Sequence, residues 1–396
     1  MKNRNLFLSL ILGSMTILSQ PVVYFDFVTH NEDQGPWNST LYYTADRSYL
    51  MSLANYFQAN GITMNMQSDW LYLTNTISKE TPALQATTNN KSILRWMYED
   101  KGVEMDPHGH EQNYIYPDLV KLMDSIGLPE SKLMGGSLYG TYNGINLWSN
   151  LINGQFGNVF PNKFWQPNYL MGGGSPMHIA DLNYYGFWNP QDTDNYLTHY
   201  PSNQLRHIGT GCEIKIKDTS NVAVIAAKLR DVVQKVQSGQ YPATGFYIQT
   251  IFFGHGDLND SAFYAKLIEV ADSANAIVAT GAAQWKTLKQ AYTIWENVNN
   301  AQMFQWECGA TSTGVTDVSG QNVLVISPNP ASDLLSITSM HDPIKQISIR
   351  NILGAEVKSL EADNVPVVIL EINELNTGMY FVVVNGKSAV KVQVLR

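Results

Sequence analysis

Val103-Glu104-Met105-Asp106-Pro107-His108-Gly109-His110 is followed, after a short polar gap, by Pro117-Asp118-Leu119-Val120-Lys121-Leu122-Met123-Asp124-Ser125-Ile126 and then Gly127. The first block alternates as a strand does. The second spaces its apolar residues as a helix does, with Gly127 as its stop. One strand feeds one helix, and the same unit recurs on both sides. Upstream lie a strand over Pro21 to His30 and a helix over Asp46 to Asn60, with Leu50, Leu53, Ala54 and Phe57 on one face and Gly61 ending it. A strand over Ile62 to Met66 and a helix over Ser92 to Asp100 follow, the helix turning Ile93, Trp96 and Met97 inward before Gly102. Downstream come a strand over Lys132 to Tyr139, an irregular Gly-, Asn-, Tyr- and Trp-rich stretch at 140–200, and a helix over Val222 to Val236. A strand over Gly245 to Phe253 and helices over Phe263 to Ala271 and Thr287 to Trp295 complete the series. Such alternation predicts an α/β body, a parallel sheet covered by helices, either open or closed into a barrel. In both forms ligands sit beyond the C-terminal ends of the strands.

The bulk numbers agree with a large folded domain plus a small one. The chain has 396 residues, 44% hydrophobic and only 15% charged, which argues against disorder. A net charge of −9 without a basic stripe excludes the electrostatic footprint of a nucleic-acid binder. The 21 tyrosines and 9 tryptophans suit a polar, sugar-stacking cleft, although any single ring is more often plain packing. Lys2 and Arg4, the apolar run Leu6 to Leu18 and Ser19-Gln20 predict a signal peptide over residues 1–20, too short to span a bilayer comfortably. No other stretch predicts a transmembrane segment. Cys212 and Cys308 permit one disulfide in an exported protein, but spacing alone does not show that they meet, and two free thiols fit as well.

Residues 309–322 are rich in Thr, Ser and Gly without periodicity and predict a linker between the body, 21–308, and a tail, 323–396. In the tail, short alternating strands run over Val323 to Ile326, Leu334 to Thr338, Ile344 to Asn351, Val357 to Leu360, Val367 to Ile372, Gly378 to Val384 and Ala389 to Val394. This predicts a small all-β sandwich of immunoglobulin-like type. Ile326-Ser327-Pro328-Asn329-Pro330-Ala331, Ile349-Arg350-Asn351-Ile352-Leu353-Gly354, Leu375-Asn376-Thr377-Gly378-Met379-Tyr380 and the closing Lys391-Val392-Gln393-Val394-Leu395-Arg396 resemble, in order, the C-terminal sorting domain of the type IX secretion system. The resemblance implies the secretion machinery as a partner, export across the outer membrane, removal of the tail, and a secreted or cell-surface location.

In the body, the first strand ends in Thr29-His30-Asn31-Glu32-Asp33 and the third in His108-Gly109-His110. Alternate residues of a strand share a face, so His108 and His110 can converge on one metal with Asp106 and Glu104 behind them. A borderline divalent ion such as zinc suits imidazole with carboxylate. His30, His108, His110 and His255 all fall at C-terminal strand ends. Each alone is more often a structural hydrogen-bonder.

Gly102-Val103-Glu104 through His108, with Tyr116-Pro117-Asp118-Leu119-Val120-Lys121-Leu122, looks like the second motif region of the polysaccharide deacetylases, a carbohydrate esterase superfamily. The resemblance implies a distorted (β/α) barrel over residues 21–297 and metal-dependent removal of an acyl group from a polysaccharide or other glycan. It implies Asp33, His108 and His110 as metal ligands, Glu32 as general base and His255 as general acid. Two departures stand out. The family's second histidine lies four residues after the first, where this chain has Gln112, and its Arg-Pro motif is replaced by Met171-Gly172-Gly173-Gly174-Ser175-Pro176-Met177-His178. Trp165, His178, Asp181 and Trp188, in the irregular segment, are candidates for lining a sugar cleft, with loop packing as the alternative. Two rival functions stay open. One is a glycoside hydrolase pairing Glu32 with Asp106 or Asp181 and needing no metal. The other is a glycan-binding surface protein without turnover.

Overall fold

The computed structural model describes residues 21–31, 36–109, 113–136, 141–142, 145–171, 182–310, 324–327, 329, 331–339, 343–351, 354–386 and 388–395. The expected signal peptide and nearly all of the expected linker lie outside them. In chain order the principal elements of the body begin with β1 (Val23–Asn31), α1 (Thr40–Ala59), β2 (Met64–Ser68), α2 (Trp70–Lys79), α3 (Ile93–Lys101), β3 (Glu104–Pro107), α4 (Tyr116–Ser125) and β4 (Leu133–Gly135). They continue with β5 (Tyr169–Met171), β6 (Asn183–Trp188), β7 (Arg206–Cys212), α5 (Val222–Gln237), β8 (Tyr247–Gly254), α6 (Ser261–Val278), β9 (Ala283–Trp285), α7 (Leu288–Asn297) and β10 (Phe304–Glu307).

β1 is the central strand. It runs parallel to β8 along its length, and on its other side parallel to β9 at its start and to β2 at its end. β2 pairs in parallel with β3, and a parallel bridge from His108 to Gly135 carries the arrangement on to β4. β4, β5 and β7 pair in parallel, after which β6 and β10 add antiparallel strands. The body is therefore a mixed α/β unit built on parallel strands.

The two faces of these strands bury into different cores. Phe25 and Phe27 pack with Leu50, Leu53 and Phe57 of α1 on the helix side. Val28 packs with Leu133, Tyr169, Met171, Ile208 and Ile248, contributed by the strands themselves, and with Leu288 of α7. Burial of both faces makes β1 and β8 mostly apolar, whereas β2 and β3 alternate apolar with buried polar residues. Each fully buried Leu or Phe stabilises the body by about 1.5–3 kcal/mol before entropy is counted.

Local signals set the helix ends. Ser39 caps α1 by accepting Tyr42 N–H, so the helix starts at Thr40 rather than at Asp46. Asp46 and Arg47 instead sit inside it, facing inward. Gly102, at φ +74°, ends α3. Asp118 of α4 accepts Ile115 N–H at its own helix start and the N–H groups of Asn158, Val159 and Phe160 across the fold. The stretch 140–200, expected to be irregular, contains β5, β6 and the helix Leu147–Asn153.

Cys212 and Cys308 are bonded, with Cα atoms 5.6 Å apart. β7 and β10 flank β6, and the bridge ties their ends beside Asn183, whose carbonyl accepts Cys308 N–H.

Among the described residues the tail forms seven strands: β11 (Leu324–Ser327), β12 (Leu334–Ser339), β13 (Ile344–Asn351), β14 (Glu356–Val365), β15 (Val367–Glu371), β16 (Gly378–Val384) and β17 (Ser388–Val394). They make an antiparallel three-stranded sheet, β11-β12-β15, and an antiparallel four-stranded sheet, β14-β13-β16-β17. Alternate residues Leu335, Ile337, Ile347, Ile349, Val382 and Val392 fill one apolar core of their own. Among the described residues no helix is long and apolar enough to cross a membrane.

Candidate functional site

Alternation along β3 puts Glu104, Asp106 and His108 in one row, and β1 supplies His30 beside them. The His30 and His108 rings lie 4.0 Å apart, and Phe252 of β8 closes on His30 at 4.7 Å. His108 is 1% exposed. Its N–H donates to Ser68 O at 2.9 Å, and its Nδ1 stands 3.1 Å from Gln67 Oε1. The Gln67 amide nitrogen donates to Met171 Sδ at 3.0 Å. With that nitrogen committed, the amide oxygen faces His108, which places the imidazole proton on Nδ1 and makes Nε2 the basic nitrogen. Two glycines make this possible. A Cβ at Gly135 would fall 1.6 Å from Gln67 Oε1, and one at Gly136 would stand 3.1 Å from His108 Nε2.

Below the histidines lies a layer of carboxylates. Asn65 Nδ2 and Ser131 Oγ both donate to Asp106. Asp26 accepts Leu288 N–H at 3.2 Å and Glu104 accepts Lys289 N–H at 2.8 Å, so the N-terminus of α7 closes this end with its favourable dipole. Burial pushes the Asp26 and Glu104 carboxyls well above the usual range, and Glu104 is raised further by Asp106 and Asp26. Asp106 is 2% exposed and occupied by Asn65 and Ser131. The pairing of Glu32 with Asp106 expected for a glycosidase would draw on this buried carboxylate, and Glu32 lies outside the described residues.

His255 stands one residue beyond Gly254, the register partner of His30, at the strand end the sequence indicates. Its ring is buried among Trp37, Tyr72 and Asp46. Nε2 lies 2.8 Å from Asp46 Oδ1, although neither ring nitrogen meets an acceptor at hydrogen-bonding geometry. Tyr72 OH donates to the other Asp46 oxygen at 3.0 Å.

The tryptophans expected to line a cleft are core residues. Trp165 and Trp188 are buried, and their indole N–H groups donate to Ser131 O at 2.8 Å and Tyr196 O at 2.9 Å. Glu32, Asp33, His110, His178 and Asp181 lie outside the described residues. Of the expected metal ligands only His108 is described, and among the described residues no three His, Cys, Asp or Glu side chains gather as a metal-binding group. Gln67, which positions His108, and Asp46, which stands beside His255, are residues that sequence reading missed. The alternation Met64-Asn65-Met66-Gln67 carried the signal for the first, a polar residue on the inner face of a buried strand.

Residues 325–395 match the family model described as the secretion system C-terminal sorting domain. This tail directs export through type IX secretion to the cell surface or the extracellular space. No curated protein matches the chain. Among solved structures, a family 4 carbohydrate esterase from Streptomyces lividans in complex with acetate is similar at 10% identity, with 68% of this chain and 93% of that chain covered and a TM-score of 0.30. A putative polysaccharide deacetylase from Mycobacterium smegmatis shows 9% identity over 68% of this chain and 94% of that one, with a TM-score of 0.34. An endo-β-1,4-mannanase double mutant from Cellulomonas fimi shows 11% identity over 94% of each chain, with a TM-score of 0.27. Likeness at these scores fixes neither fold nor chemistry.

Proposed function

We propose that the body is a (β/α) barrel-like, metal-dependent hydrolase that removes acyl groups from a carbohydrate, carried out of the cell by an immunoglobulin-like tail beyond a linker at 309–322. The observation that carries this reading is the pairing of His30 with His108 at the ends of β1 and β3, the two strands that run directly into Glu32-Asp33 and His110. The chemistry of His108 fits a metal ligand. Gln67 holds its Nδ1, as the outer partner of a ligating histidine does. In this reading Asp33, His108 and His110 hold a divalent ion of the zinc type.

When bound, that ion supplies Lewis acidity toward the acyl oxygen. Glu32 takes the proton of the attacking water. His255, beside Asp46, returns a proton to the leaving group, which requires its ring to reach the mouth past Trp37. The buried carboxylate layer and α7 keep the strand ends in register and take no part in the reaction.

The test is acetate release from acetylated xylan and from N-acetylglucosamine oligomers, with zinc supplied or chelated. Zinc-dependent acetate release that Glu32→Gln abolishes, with bound metal retained, supports the reading. Reducing-sugar release without acetate favours a glycosidase, and binding without either product favours a glycan-binding protein.

A further inference from the structure

Two aromatic rings sit directly beyond the ends of adjacent parallel strands. Trp70 opens α2, two residues after Ser68, whose carbonyl holds the His108 backbone. Tyr114 lies between the end of β3 and the start of α4. The rings stack with centroids 4.9 Å apart and planes 1° from parallel. Both are half-buried, whereas Trp37, Trp165, Trp188 and Trp295 are sealed in the core.

The ground under this stack is fixed. Asn31 Nδ2 donates to Ser68 Oγ at 2.9 Å, Asp69 N–H donates to Asn31 Oδ1 at 3.0 Å, and Asp69 Oδ1 caps α2 through Tyr72 N–H at 3.0 Å. The ends of β1 and β2 are thereby tied together immediately before Trp70. Trp165, Trp188, Trp285 and Trp295 each give their N–H to a protein acceptor, while the buried N–H of Trp70, like that of Trp306, meets none among the described residues. What the pair offers is a rigid, flat π surface at the strand ends where parallel sheets take their ligands. The axial C–H face of a pyranose is apolar and packs on such a surface.

We propose that the Trp70–Tyr114 stack is a subsite holding one pyranose ring of a carbohydrate chain beside the histidine pair. The proposal rests on the carbohydrate reading of the site and adds which rings grip the chain. Calorimetric titration of the full chain with the N-acetylglucosamine hexamer and with acetylated xylohexaose tests it, alongside acetate release by the wild type. Trp70→Ala and Tyr114→Ala should each weaken binding by about three- to tenfold, with Trp70→Phe retaining most of the affinity. Melting curves identify any variant that fails to fold, and Tyr114→Ala carries the test if Trp70→Ala does. Trp70-dependent binding without acetate release would keep the subsite and overturn the esterase reading. Acetate release with binding unaltered in folded variants would overturn the subsite alone, and neither binding nor release would overturn both.

Discussion

Gln67 Oε1 stands 3.1 Å from Nδ1 of His108, while the same amide donates to Met171 Sδ at 3.0 Å. One side chain on the inner face of β2 thus fixes the tautomer and the direction of the histidine on which the proposed site depends. Gln67→Ala should fold normally and lower zinc affinity about 10- to 100-fold, the usual consequence of removing a ligand's outer partner. Gly135→Ala should do the same by a different route, since its Cβ would fall 1.6 Å from that amide oxygen. Displacing Gln67 should also cost about 1–3 kcal/mol of stability as overpacking. Zinc titration and thermal melting of the two variants check both effects. Wild-type affinity in both would show that Gln67 does not position a ligand.

The disulfide should be structural. It closes a loop with a sequence separation of 96 and ties the ends of β7 and β10. Cys212→Ser with Cys308→Ser should lower stability by about 2–4 kcal/mol through the unfolded state. Thiol titration of the denatured, unreduced protein should find no free thiol. Two free thiols would contradict the bond.

Stability should decline as pH rises from the acid side. Burial raises the Asp26 and Glu104 carboxyls in the folded protein above their unfolded values. Below the unfolded carboxylate range both states are protonated and the full contribution is present. Between the unfolded and folded values the unfolded chain releases protons first, so stability falls until the folded groups also ionise. Asp26→Asn keeps an acceptor for Leu288 N–H and has no proton to release, so its decline as pH rises through and above the unfolded carboxylate range should be shallower. Urea unfolding across that range reads the slopes. Parallel wild-type and variant slopes would contradict this account of Asp26.

Much of this was legible in the residues, and the failures have physical causes. Helices with a cap and a glycine stop, such as Ser92 to Gly102, announce themselves through local chemistry. So do tail strands such as β12 and β15, where one buried face forces alternation. β6 and β7 were not seen, because Gly186, Gly209 and Gly211 sit where side chains would crowd neighbouring strands, and this breaks the apolar pattern. α2 was hidden because Asp69 ends β2's run and caps the helix at once. Histidines at strand ends could be read from periodicity. Whether a tryptophan is core or platform could not, since Trp165 and Trp70 differ only in what long-range packing places over them.

The most direct measurement is the metal content of the purified chain and of His108→Ala. The account predicts about one divalent ion per chain in the wild type, a melting temperature that falls on chelation, and loss of most of the metal in the variant. A wild-type protein without stoichiometric metal, whose melting and glycan activity are indifferent to chelator, would contradict it.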